Sequence, residues 1–131
     1  MGFMWPQRTI TVDGKPYLTR YYILPGVFVH HFHSSDQFDE FHNHPWAWAF
    51  SIILKGGYVE ERLTSRGITH RFYKAGSINW LTQWDFHRVD LFDMRGCWTL
   101  FFVGPRCRQW GFWNRITAQY RDWTTNPEAI K

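Results

Sequence analysis

Short runs of β-branched and aromatic residues, each closed by a turn, recur from one end of this sequence to the other, and that rhythm points to an all-β sandwich or barrel. The breaks fall at Asp13-Gly14, Pro25-Gly26, Gly56-Gly57, Arg66-Gly67, Ala75-Gly76, Arg95-Gly96 and Gly104-Pro105. Between them the pattern predicts strands over 8–12, 16–24, 27–33, 42–54, 58–65, 68–74, 77–81, 86–92, 98–103 and 108–113, with a polar loop over 34–40. Asp13-Gly14 and Gly56-Gly57 read as tight hairpin turns. The segment 114–131 is less regular and reads as a short helix or an arm that caps a strand.

With 131 residues the chain has the size of one ordinary domain, so 1–131 reads as a single unit with a core over about 8–113 and a tail over 114–131. Its 9 Trp, 6 Tyr and 12 Phe supply ample apolar surface and leave no signature of disorder. Cys97 and Cys107 lack the CxxC spacing of a structural metal site, and no apolar leader opens the chain at Met1, which together predict a reduced, cytoplasmic setting. The longest uncharged stretch, 45–54, falls far short of the roughly 20 apolar residues that span a bilayer, so no membrane association is expected. A net charge of +4 is interleaved with acids rather than clustered, which weighs against nucleic acid as a partner.

Chemistry concentrates at His42-Asn43-His44. On an extended strand, period-two geometry puts both imidazoles on one face, close enough to share one ion. A third ligand has to come from elsewhere in the fold, and His87 opens a strand several elements later, from which an antiparallel fold can return to the same interior. The competing reading makes His42 and His44 ordinary polar residues emerging from the 34–40 loop.

These residues resemble the cupin superfamily, whose first motif is an HxH pair followed by a strand and a glycine turn, and whose second is a glycine turn followed by a later metal-binding histidine. The matching positions run from His42-Asn43-His44-Pro45-Trp46 to Gly56-Gly57, then from Ala75-Gly76 to His87. More narrowly, the series H-x-H-P-W (His42 to Trp46), I-L-x-G-G-Y-x-E (Ile53 to Glu60), H-R-V (His87 to Val89) and G-P-x-x-x-x-W-G-F (Gly104 to Phe112) is similar to small cupins of bacteria and their phages. The resemblance covers about 17–112 and implies a jelly-roll antiparallel β-barrel with a metal on His42, His44 and His87. In one respect the chain departs from the family. The glutamate usual four or five residues after the second histidine is replaced by Trp48 and Ala49, leaving either a bare three-histidine site or one completed by an acid such as Glu60 from a neighbouring strand. Glu60 also reads as a solvent-facing acid paired with Arg62 or Arg71.

The resemblance implies a metal-dependent enzyme acting on a small polar or anionic molecule, with Fe(II) favoured as in three-histidine dioxygenases, and Zn, Mn or Ni with isomerase or epimerase chemistry as an alternative. In this reading Arg20 fixes an anionic group, Trp46 and Trp48 stack against the ligand, and Tyr58, Glu60 or His31 exchanges protons. His30 and His33 read as surface or hydrogen-bonded core, Arg106 and Arg108 as a solvated loop or an anion grip, and Trp110 as core. The non-catalytic alternative is a module that binds or sequesters a sugar, nucleotide or signalling metabolite, in the host cytoplasm if phage-encoded. A virion component and a homodimer complete the expectations.

Overall fold

The computed structural model describes residues 6–12 and 14–122. Their strands are β1 (Gln7–Val12), β2 (Lys15–Leu24), β3 (Val27–Phe32), β4 (Glu40–His42), β5 (Trp48–Lys55), β6 (Gly57–Thr64), β7 (Gly67–Lys74), β8 (Ile78–Thr82), β9 (His87–Leu91), β10 (Cys97–Val103), β11 (Gly111–Asn114) and β12 (Gln119–Asp122), with no helix among the described residues. They form two six-stranded antiparallel sheets, β1-β2-β3-β10-β5-β8 and β12-β11-β4-β9-β6-β7, packed face to face as a jelly roll. Among the described residues no strand ladder runs from one sheet into the other, so the barrel is closed by packing and side-chain bonds rather than by a continuous ladder. Among the described residues no helix is long and apolar enough to cross a membrane.

Most of the expected strands appear within a residue or two of their places. Asp13 of the first expected hairpin lies outside the described residues, although β1 and β2 do pair with Val12 opposite Lys15. Part of the tail, expected as a helix or a capping arm, forms the edge strand β12 against β11.

Two corrections bear on the site. The expected long strand over 42–54 is two strands in different sheets, β4 in one and β5 in the other. Pro45, which has no N–H to give to a ladder, lies in the crossing, while its carbonyl accepts from the N–H groups of Cys107 and Arg108. Nor is Gly56-Gly57 a hairpin, because β5 pairs with β10 and β8 while β6 pairs with β7 and β9. Glu60 therefore does not lie opposite Ile52, where a tight hairpin at Gly56-Gly57 would put it; its partners are Arg71 and Val89.

The crossing at Gly56 is tight: its φ is +79°, and a Cβ placed there would lie 2.4 Å from the Gly96 carbonyl oxygen. Left-handed strain and a backbone clash both oppose a side chain. Gly56→Ala is expected to lower unfolding free energy by about 2 kcal/mol or more, read from urea denaturation.

Alternation sorts the side chains once each strand has its sheet. Along β5, Ala49, Ser51 and Ile53 point into the sandwich, whereas Trp48, Phe50 and Ile52 point out. On the facing sheet β6 sends Tyr58 and Glu60 inward, and β9 sends His87 and Val89. The interior between the sheets is partly open, forming a cavity of about 210 Å³.

Candidate metal centre

His42 ends β4 and His87 begins β9, and the two are direct cross-strand partners. That register explains why residues far apart in sequence reach one place, since paired residues in adjacent strands share a face. His44 follows two residues after His42 and lies over both, with ring centroids 5.0 Å from His42 and 5.1 Å from His87. One ligating atom from each of the three lies within 4.8 Å of the others.

The far side of His87 is fixed by Glu60, whose Oε2 is 2.7 Å from His87 Nδ1. An ionised carboxylate only accepts, so Nδ1 carries a hydrogen and Nε2 is the nitrogen left to face the cluster. Glu60 is itself held by Arg62, which donates from Nε to Oε1 at 3.0 Å, and by Asn79, which donates from Nδ2 to Oε2 at 2.7 Å. Burial alone would raise its pKa, but His87, Arg62 and Asn79 outweigh burial and hold it at about 2. Glu60 is thus neither a fourth member of the cluster nor a solvent-facing acid; it is buried, 2% exposed, and orients His87. His42 has a weaker counterpart, with Nδ1 3.6 Å from Asp36 Oδ2. Asp36 is in turn fixed by the Tyr17 hydroxyl and the Val89 N–H.

The donor set suits a divalent cation. His44 Nε2 and His87 Nε2 stand 3.0 Å apart. Nitrogens each ~2.1 Å from a common ion, at cis-octahedral to tetrahedral angles, are separated by about 3.0–3.4 Å, so the spacing matches shared coordination. Burial drives the His42 pKa down to about 4 and that of His44 well below its ordinary value, so at neutral pH both are the uncharged imidazoles that a metal requires.

Other expected site residues divide between interior and exterior. Arg20 lines the cavity and donates from Nε to His30 Nε2 at 3.0 Å. Trp46 lines it too, with its ring near-parallel to His44 at 5.8 Å, and so does Tyr58, whose hydroxyl accepts from Asn79 at 2.9 Å. His31 and Trp48 do not belong there. His31 lies on the outer face of β3, stacked on Trp98 at 4.0 Å, while Trp48 sits on the outer face of β5 against Phe50 and Trp80. Trp46 and Trp48 part company because the sheet crossing separates them, which breaks the simple alternation expected along one strand. His30, read as surface or hydrogen-bonded core, is buried, accepts from Arg20 and lines the cavity, while Thr99, Asn79 and Asp36 have no place in the sequence reading. His30 was legible only with the parity of β3 in hand, and no local pattern marks the other three.

No family model matches the chain, and no curated protein does. Solved structures do resemble it. The Fe(II) form of HppE aligns with a TM-score of 0.60 at 15% identity, covering 79% of this chain and 57% of that one. Hydroxypropylphosphonic acid epoxidase from S. wedmorenis aligns at 0.56 and 15%, covering 80% and 59%. The cupin domain of Drosophila melanogaster CENP-C aligns at 0.57 and 9%, with 75% of both chains covered. This chain has the cupin fold. It spans less than two thirds of the epoxidase chains it matches. The cupin interior is where His42, His44 and His87 meet, at the end of the cavity bordered by Trp46 and Phe101.

Proposed function

We propose that this cupin-fold chain is a metal-dependent oxygenase of a small polar molecule, with Fe(II) as the favoured ion on His42, His44 and His87. The observation that carries the reading is the convergence of three imidazoles on one point beside a cavity, with Glu60 locking the outermost nitrogen of His87. When bound, Fe(II) supplies redox chemistry and coordination positions left open by a three-nitrogen donor set. The chain's own residues supply the rest. Arg20 engages an anionic group of the substrate, Trp46 and Phe101 exclude water from the imidazoles, and Glu60 keeps His87 in one tautomer and orientation.

Isomerase or epimerase chemistry fits less well, because such reactions need a proton acceptor in the cavity. Glu60 is held at about 2 and committed to three partners, and burial pushes the Tyr58 hydroxyl pKa well up, leaving Tyr58 a donor. His30 already accepts from Arg20.

Oxygen consumption tests the proposal. Protein loaded anaerobically with Fe(II) and offered a pool of small metabolites is expected to consume many equivalents of oxygen, and His87→Ala none above background. Stoichiometric retention of one metabolite without oxygen uptake would instead establish a binding module.

A further inference from the structure

Opposite the imidazoles, on the facing sheet, three interior side chains from adjacent strands form a row. Arg20 on β2 pairs with His30 on β3, and His30 pairs with Thr99 on β10. All three line the cavity. Strands lie about 4.8 Å apart, so the row extends roughly 10 Å across the sheet, comparable with the ~10 Å between packed sheets.

Each member has a feature that protein packing alone leaves unexplained. Among the described residues no carboxylate pairs with Arg20, although its guanidinium is partly buried, lies 5.0 Å above the Phe28 ring and has its Nε committed to His30. The guanidinium also bonds the Tyr22 hydroxyl, and the terminal N–H groups that neither His30 nor Tyr22 takes remain as donors for a carboxylate in the cavity that Arg20 lines. His30 is 4% exposed and accepts from Arg20, which keeps it neutral and aims the guanidinium. Thr99 is 1% exposed, and its hydroxyl has no hydrogen-bond partner. An orphaned buried hydroxyl is costly, and one facing a cavity is satisfied by whatever the cavity holds.

We infer that the Arg20–His30–Thr99 row is the recognition ledge for a small organic monocarboxylate, its carboxylate on Arg20 and Thr99 and its apolar body against Trp46, Phe101 and Trp110. This deepens the proposed function and rests on it for the direction in which the ligand's other end points, towards the imidazoles. Charge sets the class. Arg20, half-buried, neutralises one negative charge at the ledge, and the other arginine that lines the cavity, Arg106, is solvent-exposed, so a phosphate or phosphonate dianion on the ledge would leave a net charge uncompensated in a low-dielectric interior. Volume sets the size. An engineered cavity of roughly 150 Å³ holds benzene, so about 210 Å³ accommodates a single substituted ring or its aliphatic equivalent and cannot enclose a nucleotide.

Calorimetric titration of the metal-free protein with benzoate, benzamide and phenylphosphonate tests the ledge separately from the metal. Benzoate is expected to bind with one site per chain, and benzamide and phenylphosphonate each roughly 10-fold or more weakly. Thr99→Val, which preserves shape and removes the orphaned hydroxyl, is expected to weaken benzoate roughly 5-fold without lowering the melting temperature. Arg20→Met is expected to abolish the preference for benzoate over benzamide. Absence of benzoate binding, equal binding of benzoate and benzamide, preference for phenylphosphonate, or unchanged affinity in Thr99→Val would each overturn the inference. A chain that takes up metal but not benzoate loses the ledge alone. One that binds benzoate but no metal keeps the ledge and loses the oxygenase.

Discussion

Replacing any one of His42, His44 or His87 by alanine is expected to yield folded protein that purifies essentially metal-free, whereas Glu60→Ala is expected to retain metal with affinity reduced roughly 10–100-fold. The asymmetry comes from where each side chain stands. The histidines supply the three atoms within 4.8 Å of one another, while Glu60 meets His87 only at Nδ1, the nitrogen that faces away from the cluster. Removing a histidine deletes a third of the donor set. Removal of Glu60 frees the His87 ring to turn and change tautomer, but leaves its lone pair available. Glu60→Gln separates charge from shape: the amide can still accept from Nδ1, so its metal affinity is expected to fall between those of the wild type and Glu60→Ala. Metal analysis of the purified variants decides this, and equal metal loss in Glu60→Ala would make Glu60 a ligand.

The second large effect is an acid transition in the metal-free protein. His42 has a folded pKa of about 4 against about 6.5 in the unfolded chain, and burial is the main cause. A depressed folded pKa means that the unfolded state binds the proton first. The stability tied to neutral His42 is therefore fully present above pH 6.5 and is lost as pH falls through the window down to about 4. The shift corresponds to about 3 kcal/mol from His42 alone. Burial depresses His44 and His30 in the same direction, so the loss accumulates across the cluster and the ledge. A second window opens lower, as Glu60 is depressed to about 2 and its contribution, present above about pH 4.5, disappears as pH falls through that range. Urea unfolding at pH 7, 5.5 and 4.5 should show midpoints that fall steeply between the first and last. A midpoint independent of pH across that range would mean that these histidines are not buried neutral in the native state.

How far the chain could be read before its structure follows from what each signal encodes. Turn residues and β-branched runs are local properties, and they located β2, β3, β6, β7 and β10 closely. Which sheet a strand joins is not local. The segment 42–54 is uninterrupted by glycine, and its one break signal, Pro45, marks an interruption of the ladder without announcing that β4 and β5 belong to opposite sheets. The error propagated into parity. Placing Trp46 and Trp48 on one face assumed a continuous strand, and placing His31 inside rather than His30 assumed a register that only the pairing of β3 with β10 determines. The HxH pair and His87 survived because their spacing, together with the cupin resemblance, did not depend on parity elsewhere. A hairpin with β5 would be one route to an inward Glu60, which the sequence leaves open between the site and solvent, but its real neighbours are β7 and β9. Thr99 and Asn79 carry no sequence signal, since buried polar residues declare their roles only through the partners they meet or lack.

The central claim, that three histidines of this cupin fold hold one divalent ion, is tested most directly by anaerobic titration of the metal-free protein with Fe(II). The account predicts saturable uptake of one ion per chain by the wild type, and none by the folded triple variant His42→Ala, His44→Ala, His87→Ala. Failure of the wild type to take up metal, or equal uptake by the triple variant, would contradict it.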